Sequence, residues 1–232
     1  MEALRRFLSS EFTGWKKREV GWLVLSSGIV LALSLYWKES LTGILAALTG
    51  IFCVVLTGKG KRSSFLFGTV NVLLYAQIAL TARYYGEVML NLLYYFPMNF
   101  VGWAVWKKHM NHQTGEVIKR RLPLGKSLFI YGGTALGIFL YGLLLKRMGG
   151  QLPFVDSMST VISVAAQILS IWRLTEQWVL WIVVDVVTIF MWGVNFAQGG
   201  ETIGVLLMWV VYLLNAIFMF IRWNREVKTN EV

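Results

Sequence analysis

The residues best suited to chemistry lie in one stretch: Trp178-Val-Leu-Trp181-Ile-Val-Val-Asp185-Val-Val-Thr188-Ile-Phe-Met-Trp192-Gly-Val-Asn195. The stretch is apolar and long enough to cross a bilayer, yet Asp185 sits about 11 Å along it at 1.5 Å per helical residue. Trp181, Asp185, Thr188, Trp192 and Asn195 follow a 4-3-4-3 spacing, which places all five on one helical face. An ionisable group at that depth faces a bundle interior or cavity and marks a candidate site. Indoles beside it favour a ligand with a flat or cationic surface. The competing role is a polar contact that holds helices together. A charge costs more to retain than that role requires.

Further candidates lie in neighbouring apolar runs. Asn91-x-x-Tyr94 precedes Pro97, Asn99 and Gly102-Trp103-x-x-Trp106, and Pro97 should break the helix hydrogen bonding and free backbone groups for a cavity. Trp106, next to Lys107 and Lys108, suits an interfacial anchor, whereas Trp103 lies deeper. Thr160, Ser163, Gln167 and Ser170 form a polar stripe, of which Gln167 is assigned to ligand. Tyr212 and Asn215 serve equally well as wall residues of a site or as helix glue. Trp178 completes the aromatic set. His109 and His112 have no nearby cysteine or acid, so no metal site is expected, and no cofactor. No phosphate loop, triad or paired-acid motif is present, so the chain does not read as an enzyme.

These residues must be held by membrane helices. The 232 residues are 56% hydrophobic and only 15% charged, against about a quarter charged in soluble domains. The formal charge of +10 does not indicate nucleic acid, because the cations cluster in short connectors between apolar runs. Cys53 is the single cysteine, which excludes an internal disulfide. The first apolar run lacks a small-residue cleavage site and is expected to be retained.

Eight apolar runs are expected as helices, near 20–37, 41–56, 64–82, 88–106, 127–145, 154–172, 178–197 and 202–221. Residues 1–19 form a basic amphipathic segment expected to lie in the membrane interface. With both termini cytoplasmic, inside segments carry 18 lysines and arginines and outside segments 4, together the 22 of the whole chain. That bias sets the orientation.

A shift of 114 residues aligns Gly86-Glu87 with Gly200-Glu201, Lys59 with Arg173, Phe67 with Trp181 and Asn71 with Asp185. A rival shift of 90 would pair helices of opposite orientation. The preferred division is an extra transmembrane helix (20–37), a first three-helix repeat (41–106), a cytoplasmic loop (107–126), a linker helix (127–145), a second repeat (154–221) and a cytoplasmic tail (222–232). Parallel repeats about an axis along the membrane normal place a transporter's site at their seam, so Asn71 and Asp185 become symmetry mates there, with Phe67 and Trp181 a turn before them. Gly133-x-x-x-Gly137 suits close helix contact, between protomers among other places.

The pattern Asn91-x-x-Tyr94, Gly102-Trp103-x-x-Trp106, Gln167 and Trp178-x-x-Trp181-x-x-x-Asp185 resembles the PnuC family of vitamin-precursor transporters, over about 41–223. The second repeat departs from that pattern, ending Phe220-Ile-Arg-Trp223. The resemblance implies an all-α membrane fold similar to the SWEET sugar transporters, assembled as a homotrimer in the inner membrane. It implies facilitated diffusion of nicotinamide riboside, trapped by cytoplasmic phosphorylation. Relatives for thiamine, riboflavin or deoxynucleosides are the alternatives, and a sensor or scaffold is a further one. A pyridinium ring would suit the indoles and Asp185, and its sugar the Asn and Gln amides. Asp185 is taken as the only deep acid, which leaves no site for a coupling proton or sodium.

Overall fold

The structure, a computed structural model, describes residues 2–111, 113–147, 153–199 and 203–230. His112 and the Gly200-Glu201 pair of the repeat alignment lie outside the described residues. Among the described residues ten α-helices follow one another: α1 (Glu2–Phe12), α2 (Lys17–Tyr36), α3 (Leu41–Lys59), α4 (Ser63–Thr81), α5 (Tyr85–Met89), α6 (Phe96–Lys107), α7 (Leu124–Arg147), α8 (Pro153–Ile171), α9 (Gln177–Ala197) and α10 (Ile203–Asn230). A π-helical turn, Leu90–Tyr95, joins α5 to α6. Each of the eight apolar runs falls on helix. Among the described residues seven helices are long and apolar enough to cross a membrane, and Ser157–Ile171 is a shorter apolar one.

The helix ends have local causes. Ser40 caps α3 by accepting from the Gly43 amide at 3.0 Å, and Gly60 stops the helix in the left-handed region at φ +83°. Lys38, Arg83 and Arg173 also adopt positive φ in the turns that follow α2, α4 and α8. Pro97 opens α6, and the segment immediately before it is the π-helical turn. The lost hydrogen bond therefore appears as a wider turn that re-registers the helix.

The segment 107–126 is more ordered than a polar connector. Met110–Asn111 (β1) and Glu116–Val117 (β2) pair antiparallel. The Val117 amide donates to the Gly60 carbonyl at 2.9 Å, and backbone pairing of Arg120 with the α8–α9 turn anchors the far end. The Val117 side chain enters a core with Phe65, Trp106, Trp178 and Trp223. Trp106 is fully buried there and donates to the Ser170 carbonyl at 3.2 Å, so it is not the interfacial anchor its neighbouring lysines suggest.

Packing follows a paired scheme. α3 packs on α4 and α10; α8 packs on α9; α9 packs on α10; α6 packs on α4 and α8. Helix α2 leans on α3 and α10, while α7 packs on α8. Gly137 allows part of that contact, since a Cβ there would stand 3.2 Å from the Val161 side chain, whereas Gly133 faces open space.

The N-terminal segment is docked on the bundle end. Lys61 is fully buried, and its ammonium donates to the carbonyls of Ser10, Thr13 and Gly115 at 2.6–2.8 Å. Burial pushes its pKa down to about 8, with Glu116 pulling the other way. Beside it runs a closed ring of ion pairs. Lys59 meets Glu19 and Glu116, both at 2.7 Å; Glu19 meets Arg222 at 2.8 Å; and Arg222 meets Glu226 at 2.6 Å. Lys119 closes the ring between Glu226 and Glu116. Three acids and three bases thus tie the start of α2, the end of α3, the β-ribbon and α10.

Burial alone would raise the Glu116 pKa. Lys119, Lys59 and Arg222 outweigh it and hold the carboxyl at about 2, below its usual 4.5. A depressed acid contributes stability that is complete above about 4.5 and is lost as pH falls toward about 2. Glu116→Gln should therefore cost about 3 kcal/mol at neutral pH, the scale for removing one partner of a buried network. It should also flatten the acid limb of the melting temperature against pH. Thermal melts of parent and variant in detergent between pH 2 and 7 check both.

Candidate functional site

The face carrying Asp185 opens onto a cavity of about 130 Å³ inside the bundle. Six segments of the bundle line it. α9 supplies Trp178, Trp181, Val184, Asp185 and Thr188, and α8 supplies Ser163, Gln167 and Ser170. α4 supplies Asn71 and Tyr75 among others, and the segment from α5 through α6 supplies Glu87, Asn91, Tyr95 and Asn99. Cys53 and Thr57 come from α3, and Trp209, Tyr212 and Asn215 from α10. Neither α2 nor α7 contributes a lining residue.

Asp185 is 2% exposed, and no hydrogen bond or ion pair holds it among the described residues. It lies within electrostatic reach of the Tyr95 and Tyr212 phenols. Trp181, half-buried, faces Tyr95 with ring centres 6.3 Å apart and planes tilted by 36°. Trp178 sits edge-on to Trp223 at 5.4 Å. The Asn71 amide donates to the Ala46 carbonyl at 2.8 Å, so it ties α4 to α3 while its residue still lines the cavity. Four polar atoms of lining residues, Asn99 Nδ2, Asn215 Oδ1, Trp178 Nε1 and Trp209 Nε1, are buried without a hydrogen-bond partner among the described residues. Buried polar atoms are rarely left so, and a cavity with several is equipped for a hydroxylated guest.

A glycine sets how closely the walls approach. A Cβ on Gly50 would meet the Tyr212 hydroxyl at 2.1 Å, Met208 Sδ at 2.6 Å and Asn71 Nδ2 at 2.9 Å. Its hydrogen lets α10 and α4 bring those side chains over α3. Gly102 does the same for the Phe65 ring, 2.2 Å from where its Cβ would stand.

Eight sequence candidates line the cavity: Trp181, Asp185, Gln167, Asn71, Asn91, Trp178, Thr188 and Tyr212. Tyr94, Trp103 and Asn195 do not. The Tyr94 hydroxyl donates to the Val164 carbonyl at 2.8 Å and clamps the π-helical turn to α8. Trp103 packs on Phe7 and Arg62, each about 5 Å away, and so receives the N-terminal segment. Asn195 lies two residues from the end of α9. Between it and Thr188 the helical face is covered by packing: Trp192 is fully buried, edge-on to Tyr75 and Tyr84, and donates to the Tyr75 hydroxyl at 2.7 Å.

Two further corrections concern the repeat reading. Phe67 does not mirror Trp181 in the cavity; it stacks on Phe52 at 5.0 Å. Asp185 is also not the only acid, because Glu87 lines the same cavity. The sequence showed Glu87 only as part of a Gly-Glu turn. Its place in the third residue of a membrane segment, one turn before Asn91, was the available signal.

Comparison with known proteins agrees with this geometry. A family model described as "Nicotinamide mononucleotide transporter" matches residues 40–225. A protein of Neisseria mucosa named "Nicotinamide riboside transporter PnuC" is 42% identical over 94% of this chain and 84% of its own length. One of the same name from Haemophilus influenzae is 34% identical over 95% and 96%. A solved structure titled "Crystal structure of the Vitamin B3 transporter PnuC" superposes with a TM-score of 0.86 at 41% identity, covering 97% of each chain. A chain with these matches and this helical cavity belongs to the PnuC family.

Proposed function

We propose that the chain imports nicotinamide riboside through this cavity by facilitated diffusion. The observation that carries the reading is the charge of the lining. Asp185 and Glu87 stand on it, and no lysine, arginine or histidine does among the described residues. The family model is described by a mononucleotide and the curated relatives by a riboside. A phosphate here would face two carboxylates and no cation, which disfavours the mononucleotide. The riboside brings a pyridinium charge to the acids, a flat ring to Trp181 and Tyr95, and hydroxyls to Asn99, Asn215 and Gln167.

The same charge pattern supports trapping. A monocation entering a negative-inside cell gains about 2.3 kcal/mol per 100 mV. Phosphorylation inside then yields an anion that the cavity repels. Glu87 removes the argument that no second acid is present, so absence of ion coupling rests on this driving force instead.

The proposed architecture is eight spans, with Pro153–Ile171 as the sixth and two parallel three-helix repeats. It is supported by the pairing of α3 with α10 and α6 with α8, and by the exclusion of α2 and α7 from the cavity. Both termini lie in the cytoplasm of a cell with this protein in its inner membrane, supported by the 18 to 4 bias. A homotrimer is supported by α7, whose outer face shows Phe129 at 81% exposure and an open Gly133.

Uptake of labelled nicotinamide riboside into liposomes holding the purified protein tests the reading. It should proceed with neither a sodium nor a pH gradient, and unlabelled mononucleotide should compete poorly. Strict dependence on either gradient would refute facilitated diffusion. Thiamine, riboflavin or deoxynucleoside displacing the label more strongly than the riboside itself would reassign the substrate.

Trp181→Ala should weaken riboside binding by about 1–3 kcal/mol, counting lost contact area and cation–π attraction, and Trp181→Phe should recover part. Calorimetric titration checks this; normal binding by the Ala variant would return Trp181 to packing.

Asp185→Asn keeps shape while deleting charge. It should cost about 1–3 kcal/mol for the cationic riboside and almost nothing for the reduced, neutral dihydro form. Equal and undiminished binding of both ligands would make Asp185 a packing residue.

A further inference from the structure

We propose that Glu87 and Ser159 form an outer cation station of the cavity, where the pyridinium of the substrate rests before it reaches Asp185. The inference depends on the riboside reading above and adds a second site to it.

It stands first on how the chain treats its carboxylates. The side chains of eight acids are described, and six have strong partners. Glu19, Glu116 and Glu226 belong to the ion-pair ring. Glu39 accepts from the Ser40 and Gly204 amides, Glu176 from the Leu122 amide and the Ser127 hydroxyl, and Glu11 from the Ser63 hydroxyl at 2.5 Å. The remaining two are Asp185 and Glu87, and both line the one cavity. Glu87 has a single long hydrogen bond, from the Ser159 hydroxyl at 3.4 Å, and no cation among the described residues. Carboxylates withdrawn from water need compensation. A chain that supplies it six times and omits it at two cavity positions leaves both for a guest.

The second support is position. Glu87 lies in the third residue of its membrane segment, at the end of the bundle away from the ion-pair ring. On the proposed orientation that end is outside. Ser159, Ser163 and Gln167 follow at four-residue spacing on α8, a polar track of about 12 Å at 1.5 Å per residue. Ser163 and Gln167 line the cavity, and Ser163 neighbours Tyr95, whose ring faces Trp181. A cation held at Glu87 therefore has polar contacts along the way to Asp185. Two stations also prevent a deep single well: binding must be firm enough to admit the substrate and divided enough to release it.

The test uses full-length protein in liposomes, with initial uptake rates of nicotinamide riboside and its neutral dihydro form. Glu87→Gln should raise KM for the cationic riboside about tenfold, within the range by which charged clefts concentrate a counter-ion. It should leave KM for the neutral form within about twofold, and Glu87→Asp should restore most of the loss. The inference is overturned if Glu87→Gln behaves as the parent toward both ligands, or if it impairs both equally. Asp185→Asn run alongside separates the two readings. If that variant loses its preference for the cation while Glu87→Gln does not, the riboside site stands without an outer station. A parent protein that carries no riboside removes both.

Discussion

A carboxylate inside a bilayer is tolerated only when something offsets its lost hydration, and the arrangement of this bundle follows from where that offset is supplied. At the ribbon end, Lys59, Lys119 and Arg222 neutralise Glu19, Glu116 and Glu226 in a closed ring. Such a ring joins four stretches distant in sequence, and salt screens its buried members, Lys59 and Lys119 above all, only weakly. Within the cavity no base offsets Asp185 or Glu87 among the described residues, and the proposed function leaves that offset to the substrate. The contrast gives one physical cost two outcomes: where acid meets base the ring ties the bundle end together, and where no base is supplied the acid is free to meet a guest, as the proposed function requires.

The aromatic residues divide along the same line. Trp106, Trp223 and Phe65 pack under the cavity near the ribbon, with Trp106 and Trp223 spending their indole N–H groups on the carbonyls of Ser170 and Gly58. Trp192 does the equivalent at the other end by donating to Tyr75. Trp181 has no such bond among the described residues and remains half-buried, with a face available. An indole with a satisfied N–H and no exposure is a wall; one with an open face beside an acid is a stacking surface. Gly50 and Gly102 let these bulky groups converge on neighbouring backbone.

Much of this was legible in the chain because the bilayer enforces it. Apolar runs of about 20 residues must be helices, and all eight lie on helix. The stripe Trp181-Asp185-Thr188 was readable because helical periodicity fixes a face. Periodicity does not say what covers the face, and so Asn195 was grouped with Asp185 although Trp192 and Tyr75 close the cavity between them. Tyr94 and Trp103 lie away from the cavity for a related reason. Their partners, the Val164 carbonyl and the Phe7–Arg62 pair, come from other segments, and no local pattern announces them. The ribbon at 110–117 escaped because two-residue strands have no periodicity at all; it forms where Gly60 and Val117 meet. Glu87 was hidden by its place in a turn motif.

The sign of the cavity's charge also bears on how one fold can serve several substrates. The helix ends, the ring and the glycine-mediated approaches concern the bundle and would hold it together whatever the guest. On the proposed function the guest is chosen by Asp185, Glu87, Trp181 and the unpartnered Asn99 Nδ2 and Asn215 Oδ1, all on side chains whose backbone is already fixed by those contacts. Replacing one of the acids by a neutral residue alters which ligands are repelled without disturbing an ion pair, because neither acid has one. On the riboside reading, a cavity of this design can therefore exchange a cationic riboside for a neutral nucleoside by few substitutions. An anionic phosphate ester would need more, because both acids would have to be removed and at least one cation supplied with its own desolvation offset. The distance in chemistry between riboside and mononucleotide is one phosphate; measured in changes to this lining, it is the larger step.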